Sequence, residues 1–315
     1  MIDLKVSLFD VVFSISNVID MISPKLDGHH KRTAYLALRI AESLGLSTDC
    51  QSDIFLAGLL HDCGALSLKE KLDALKFELE RPHHHAEVGY QFLKNFTHFK
   101  NAAKIIRYHH VDWEDIKNNN SWQKEIPLGS SIIHLADRLD VLFDKQDNVS
   151  GQINRVCRRI SNESGHKFSP ELVDCFLELC QKEDLLQGLF EDLPYSIKEQ
   201  KLKDTVLDFE ETIEITKLFE RIIDFRSSFT ANHSSGVAAV AEALGRFAGL
   251  EEGRCILLRI AGYLHDVGKL AIPVEYIEKP GKLTNEEYEA VKLHALYSYQ
   301  VLSKIKDQLI KVKSF

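Results

Sequence analysis

The chain has 315 residues, of which 44% are hydrophobic and 27% charged, a composition typical of a folded protein with room for two domains. The formal net charge of -8 argues against broad binding of duplex nucleic acid, because such binding needs a basic surface that replaces counterions. The six cysteines form no CxxC pair and are typical of reduced thiols, so we expect a cytoplasmic protein.

The N-terminal stretch VSLFDVVFSISNVIDMI predicts an amphipathic helix rather than a signal peptide or a membrane span. Asp10, Asn17 and Asp20 interrupt its apolar run, and no basic region precedes it. The rest of the chain has helical apolar spacing and no strand alternation long enough to build a sheet. The sequence therefore predicts an all-α fold.

The stretch AGLLHDCG, residues 57–64, places an imidazole and a carboxylate, His61 and Asp62, side by side at the end of a predicted buried helix. Burying this pair is costly unless something compensates it, and a divalent metal accepts both groups as ligands. The same arrangement returns as AGYLHDVGK, residues 261–269, centred on His265 and Asp266. One such pair is common in proteins, but two copies with matching flanks favour a metal site.

An internal repeat covers most of the chain. Two histidine pairs lie 204 residues apart, and a third pair, at the start of two similar helices, lies 209 apart. These pairs are His29 with His233, His61 with His265, and His85 with His294. We therefore predict two tandem helical-bundle domains, 1–190 and 205–315, joined by a linker at 191–204.

The first copy carries seven metal-type ligands on segments predicted to be helical, and a helical bundle can direct such side chains to one cluster. They are His29, His61, Asp62, His85, His109, His110 and Asp137. The second copy contributes four, His233, His265, Asp266 and His294. Because His30, His83 and His84 adjoin chosen ligands, the register could differ by one position. Asp140, one turn after Asp137, is a candidate support for a ligand.

The order H…HD…H…HH…D resembles the HD superfamily of metal-dependent phosphohydrolases, and more narrowly the HD-GYP phosphodiesterases. LHDVGKLAIP and EKPGKLTNEE in the second copy are the stretches most similar to the family, and GHKFSPELVDCFLEL resembles its closing segment. The first copy departs from the pattern twice: it has Ala65 where the second has Lys269, and VDWEDIKNNNSWQKEIPL lacks the Gly-Tyr-Pro loop. The second copy's later ligands would fall after Phe315, so we expect a truncated second domain.

The resemblance implies a phosphodiesterase that opens a cyclic dinucleotide, either cyclic di-GMP or a cyclic GMP-AMP, with two divalent metals. Asp62 would bridge the metals and a hydroxide held between them would attack phosphorus. The expected ligands are His29, His61 and Asp137 for one metal and His85, His109 and His110 for the other. Oxygen and nitrogen ligands without a thiolate suit iron or manganese.

His61 and Asp62 are therefore the expected catalytic residues of the first copy. Lys269 is expected to be catalytic and to bind substrate, because the family's lysine at this position lies near the scissile phosphate. Arg32, three residues after His29, is a candidate phosphate ligand.

Two rival functions stay open. The first copy could be a degenerate module that binds metal or nucleotide and supports catalysis by the second copy, which the loss of the lysine and of the Gly-Tyr-Pro loop would favour. A metal-free interaction scaffold is the other rival, but such a scaffold should have lost its His-Asp pairs. The expected partner is the cyclic dinucleotide, without duplex nucleic acid and without a membrane span, and the oligomeric state is open, with a homodimer among the options.

Overall fold

The computed structural model describes residues 6–78, 82–144, 149–181, 185, 189, 205–225 and 233–309. These residues are overwhelmingly helical, which confirms the predicted all-α class. The named strands of this described part, Val6–Ser7 and Val206–Leu207, pair antiparallel over two residues. The predicted linker at 191–204 lies outside the described residues. No helix in the described ranges is both long enough and apolar enough to cross a bilayer.

The chain divides into two compact units, named here by their place in the sequence. The central unit comprises Gly28–Ala65 and Lys69–Asp204, and the flanking unit comprises Met1–Asp27, Leu66–Leu68 and Thr205–Phe315. The predicted division into 1–190 and 205–315 differs from these units at the N-terminus. Helix α1 (Leu8–Asp20) packs within the flanking unit because its apolar side chains are buried there.

The central unit is a bundle of helices of unequal length. They are α2 (His29–Ser43), α3 (Thr48–Leu60), α4 (Leu68–Ala74), α5 (Pro82–Leu93), α6 (Lys100–Arg107), α7 (Trp113–Asn118), α8 (Trp122–Glu125), α9 (Leu128–Leu142), α10 (Val149–Asn162) and α11 (Pro170–Leu179), with a 3₁₀ turn at Thr97–Phe99. Helix α2 packs against α3, α9 and α11, and α3 also contacts α6 and α9. These contacts bring the ends of several helices together around one buried site.

Local sequence explains how the helix that leads to this site begins and ends. Ser47 caps α3, its hydroxyl accepting a hydrogen bond from the backbone N–H of Cys50. Gly58 lies where α3 crosses α2, and a Cβ there would stand 2.6 Å from the Cα of Ala34. This close approach lets α3 deliver His61, its C-terminal cap, into the interior.

The flanking unit repeats this arrangement after α1. Its further helices are α12 (Phe209–Phe225), α13 (His233–Phe247), α14 (Glu252–Leu264), α15 (Val274–Ile277), α16 (Asn285–Lys292) and α17 (His294–Leu309), with a 3₁₀ helix at Val267–Ala271. Helices α13 and α14 pack as α2 and α3 do, and Gly262 makes the same close approach, to Ala238. Thr284 and Glu287 form a capping box at the start of α16.

Candidate metal centre

The two His-Asp pairs lie at the same structural position, the C-terminal end of a buried helix. His61 caps α3 and His265 caps α14. A glycine follows each pair because the turn presses against the helix that carries the next histidine. A Cβ on Gly64 would stand 2.1 Å from the carbonyl oxygen of His85, and one on Gly268 would stand 2.0 Å from that of His294. This packing explains why His-Asp-X-Gly recurs as a unit.

The carboxylate of Asp62 faces a different set of ligands with each oxygen. Its Oδ2 lies 3.6 Å from the Nε2 of His61 and 4.0 Å from the Nε2 of His29. Its Oδ1 lies 3.1 Å from the Nε2 of His85 and 3.9 Å from that of His109. One carboxylate thus stands between two groups of imidazoles, as a bridging ligand must.

The remaining predicted residues of the first copy complete these two groups. Asp137, on α9, places Oδ1 3.5 Å from the Nε2 of His29 and 3.8 Å from that of His61. The Nε2 atoms of His85 and His110 lie 2.8 Å apart. The structure therefore brings all seven predicted residues together, in the sets His29–His61–Asp137 and Asp62–His85–His109–His110, each with ligand atoms within 4.8 Å of one another.

Hydrogen bonds donated by Nδ1 fix the orientation of three of these rings. The Nδ1 of His61 donates to the carbonyl of Gly58 at 2.8 Å, and that of His109 donates to the carbonyl of Ile106 at 2.6 Å. The Nδ1 of His29 donates to Asp140 at 2.7 Å. With Nδ1 occupied, Nε2 is the nitrogen left to ligate a metal. His109 and His110 follow α6 rather than lie in it, which differs from their predicted helical placement.

Asp140 supports the site from behind His29. It accepts hydrogen bonds from Arg32 as well, at 2.5 Å from Nε and 3.2 Å from Nη2. Burial alone raises the pKa of Asp140, but the bonds from His29 and Arg32 bring it well below its usual range. Burial lowers the pKa of His29, and Asp140 outweighs this and raises it. Arg32 thus holds the residue that orients His29, and its predicted contact with a phosphate stays a prediction.

Arg138 supports Asp137 in a similar way. Its Nη2 donates to Asp137 Oδ2 at 2.6 Å and to the carbonyl of Ala74 at 2.7 Å, and its Nη1 donates to the carbonyl of Lys76. The guanidinium is fully buried. Arg138 therefore leaves Oδ1 of Asp137 facing the cluster, and it connects the C-terminal end of α4 to Asp137.

The electrostatics of the cluster favour a neutral His61 and a neutral His110 beside an ionised Asp62. Burial lowers the pKa of His61 to about 3 and places the pKa of His110 well below its ordinary value. Burial raises the pKa of Asp62, but His61 and His85 bring it far below its usual range. Metals bind imidazole and carboxylate in these protonation states.

Unsatisfied polar atoms test whether the cluster fits metal ions. Five buried ligand atoms of the seven predicted residues have no hydrogen-bond partner among the described residues: Nε2 of His29, His61 and His109, and Oδ1 of Asp62 and Asp137. Such atoms are costly inside a protein unless something coordinates them. They converge on the same space, so the donor set fits divalent metals.

The corresponding cluster of the flanking unit is smaller and more open. His233, His265 and Asp266 have ligand atoms within 4.8 Å of one another, and the Nε2 of His294 lies 3.6 Å from Asp266 Oδ1. Lys269 pairs with Asp266 at 2.7 Å between Nζ and Oδ2. Within the ranges that the structure describes, these four ligands gain no counterparts of His109, His110 and Asp137.

The three histidines that adjoin predicted ligands in the sequence differ in burial. His83 and His84 are exposed, whereas His85 is buried, which supports the chosen register. His30, the neighbour of the predicted ligand His29, is also fully buried and forms a third group with His61 and Asp62. Adjacent histidines at the start of a helix were the only signal for it.

Comparison with known proteins places these units in a family. A family model described as "HD domain" matches residues 26–142, and a second one, also described as "HD domain", matches residues 217–314. The chain is 28% identical over 320 residues to 3'3'-cGAMP-specific phosphodiesterase 1 of Vibrio cholerae, covering 98% of this chain and 74% of the relative. It is 27% identical over 185 residues to a cyclic di-GMP phosphodiesterase of Thermotoga maritima, covering 54% of this chain and 50% of the relative.

A solved structure shows the same fold. The crystal structure of a cyclic GMP-AMP-specific phosphodiesterase of Vibrio cholerae aligns with a TM-score of 0.72 and 25% sequence identity. The alignment covers 95% of this chain and 80% of that one. The likeness therefore extends over both units.

Proposed function

The chain belongs to the HD-domain family, and on that premise we propose that it is a metal-dependent phosphodiesterase that hydrolyses a cyclic dinucleotide. The observation that carries the proposal is the bridging position of Asp62 between two groups of buried imidazoles in the central unit. The relatives are named for 3'3'-cGAMP and for cyclic di-GMP, so the proposed substrate is one of these two.

The residues of the central unit would hold two divalent metals, iron or manganese. His29, His61 and Asp137 form one donor set and His85, His109 and His110 the other, with Asp62 common to both. Such ions supply Lewis acidity toward phosphoryl oxygens and activate water at neutral pH. Burial keeps His61 neutral, and the hydrogen bonds donated by Nδ1 fix the orientation of His61 and His109.

Lys269 and the flanking cluster support a second candidate function. The flanking unit keeps the lysine, whereas the central unit has Ala65 at that position. In this alternative the central unit binds metal and nucleotide without turnover and regulates catalysis elsewhere in the protein. The homodimer and the cytoplasmic location predicted from the sequence stay predictions.

Hydrolysis of each nucleotide by the manganese-loaded chain distinguishes the two functions. We expect turnover of 3'3'-cGAMP or cyclic di-GMP to a linear dinucleotide. Asp62→Asn should lower kcat/KM on the order of a thousandfold, because bound metals stabilise the transition state by several kcal/mol and each 1.36 kcal/mol changes the rate about tenfold. Asp73→Asn is the matched control, since Asp73 is a half-exposed carboxylate paired with Lys76. Nucleotide binding without hydrolysis by the wild-type chain would favour the regulatory alternative.

A further inference from the structure

Lys71 is a buried lysine beside the candidate metal centre. We propose that Lys71 binds a phosphate oxygen of the substrate in the central unit, the part that the family resemblance gives to Lys269 in the flanking unit. This inference rests on the proposed function and adds a substrate contact to it.

The internal repeat provides the first observation. In the flanking unit, Lys269 places its ammonium 2.7 Å from Oδ2 of Asp266, next to the ligand cluster. The position that corresponds to Lys269 in the central unit is Ala65, which is buried and carries no charge. An ammonium that meets an anionic phosphodiester in the central unit therefore has to come from another position.

The position of Lys71 provides the second observation. It lies six residues after Ala65, on α4, and its Nζ is 3.5 Å from the carbonyl oxygen of Asp62. Only 4% of Lys71 is exposed, whereas Lys69, two residues earlier on the same helix, is exposed. Lysine is almost never fully buried unless its ammonium is paired, because desolvating the ammonium is costly. Both units thus bring one ammonium to the His-Asp turn, from different positions in the sequence.

The anchoring of α4 provides the third observation. Arg138 donates to the carbonyls of Ala74 and Lys76 while it holds Asp137 Oδ2. Because Asp137 is a candidate ligand, the helix that carries Lys71 is fastened to the cluster itself. The flexible four-carbon stem of lysine can then turn its ammonium toward a bound phosphate without movement of the backbone.

A purely structural role is the competing explanation, in which Lys71 serves only the Asp62 carbonyl and the fold. The two explanations differ in what a neutral side chain of similar length would change. Lys71→Met removes the charge and keeps most of the apolar stem, Lys71→Arg keeps the charge, and Lys69→Met is the matched exposed control. Each variant of the full chain is measured for manganese content and thermal midpoint. Kd and kcat/KM are then measured for 3'3'-cGAMP and for cyclic di-GMP.

The proposal predicts that Lys71→Met weakens Kd and lowers kcat/KM about ten- to hundredfold, the range for losing one hydrogen bond to a charged group. Manganese content should be unchanged, Lys71→Arg should recover most of the loss, and Lys69→Met should match the wild type. Unchanged Kd and kcat/KM in Lys71→Met would overturn the proposal. So would a loss of kcat/KM that is accompanied by an equal loss of manganese, or one that Lys71→Arg does not recover.

The outcome separates this proposal from the proposed function. If the wild-type chain binds nucleotide without turnover and Lys71→Met weakens that Kd, the contact stands and the hydrolytic function fails. If the wild type hydrolyses and Lys71→Met does so equally well, the hydrolytic function stands and the contact fails. A wild-type chain that neither binds nor hydrolyses either nucleotide would overturn both.

Discussion

The two units present the same His-Asp motif in different surroundings. In each, the motif's histidine caps a helix and donates Nδ1 to the glycine carbonyl three residues earlier at 2.8 Å. Yet the side chain of His61 is 0% exposed and that of His265 is 35% exposed, while His29 is 0% and His233 49% exposed. The motif builds its own geometry locally, but it does not by itself build a closed site.

Residues from later in the sequence close the central site. The turn after α6 supplies His109 and His110, and α9 supplies Asp137. Asp140 and Arg138 support the ligands from outside the cluster. Closure removes water, and burial is the largest cause of the low pKa of His61. The difference between the units therefore teaches that the orientation of the motif's histidine is a local property, whereas its burial and protonation depend on long-range packing.

Removing Arg138 should have the largest effect on the stability of the closed site. Arg138→Met leaves Asp137 buried without its cation, so we expect a loss of about 3–5 kcal/mol in the free energy of unfolding. Urea unfolding of the metal-free protein measures this loss. Arg159→Met is the control, because Arg159 is half-exposed and should cost less than about 1 kcal/mol. Equal losses in the two variants would show that the buried Arg138–Asp137 pair stabilises the fold no more than a surface ion pair does.

Weakening the brace on His29 should affect metal binding rather than the fold. Asp140→Asn keeps the shape of the side chain but removes the charge that orients the imidazole, so metal affinity should fall about 10- to 100-fold. Competition with a chelator measures the affinity of the central site. Asp144→Asn, four residues later and outside this network, should leave the affinity unchanged. Unaltered affinity in Asp140→Asn would mean that packing alone orients His29.

Lowering the pH should destabilise the metal-free protein through its buried imidazoles. The pKa of His61 is about 3 in the folded chain and ordinarily 6.5, so the unfolded chain binds more protons between these values. The stability that His61 contributes is thus present above about pH 6.5 and is lost as the pH falls toward 3. Across that window, each fall of one pH unit lowers the free energy of unfolding by about 1.4 kcal/mol through His61.

Urea unfolding between pH 7 and pH 4 measures this slope. His61→Gln, which cannot take up a proton, should flatten the dependence. His29, whose pKa is raised, contributes in the opposite direction: its stability is present at low pH and is lost as the pH rises through its folded pKa. An identical slope in wild type and His61→Gln would contradict the account of burial.

The sequence predicts the helical class, the repeat and the seven residues that converge, because helix periodicity and motif spacing are local features. It does not predict which unit receives α1, since an amphipathic helix can bury its apolar face in either copy. The pairing of Arg32 with Asp140 spans 108 residues and has no local signal. The burial of Lys71 is equally hard to predict from the sequence, because a lysine on a short polar helix is normally exposed.

Metal content per chain tests the central claim, that the central unit holds the complete site, most directly. The chain is purified without oxygen, and metal is counted in wild type, His61→Ala and His265→Ala. The account predicts about two metals per wild-type chain, loss of both in His61→Ala, and retention of both in His265→Ala. Loss of metal in His265→Ala with none lost in His61→Ala, or a wild-type chain without metal after incubation with manganese, would contradict it.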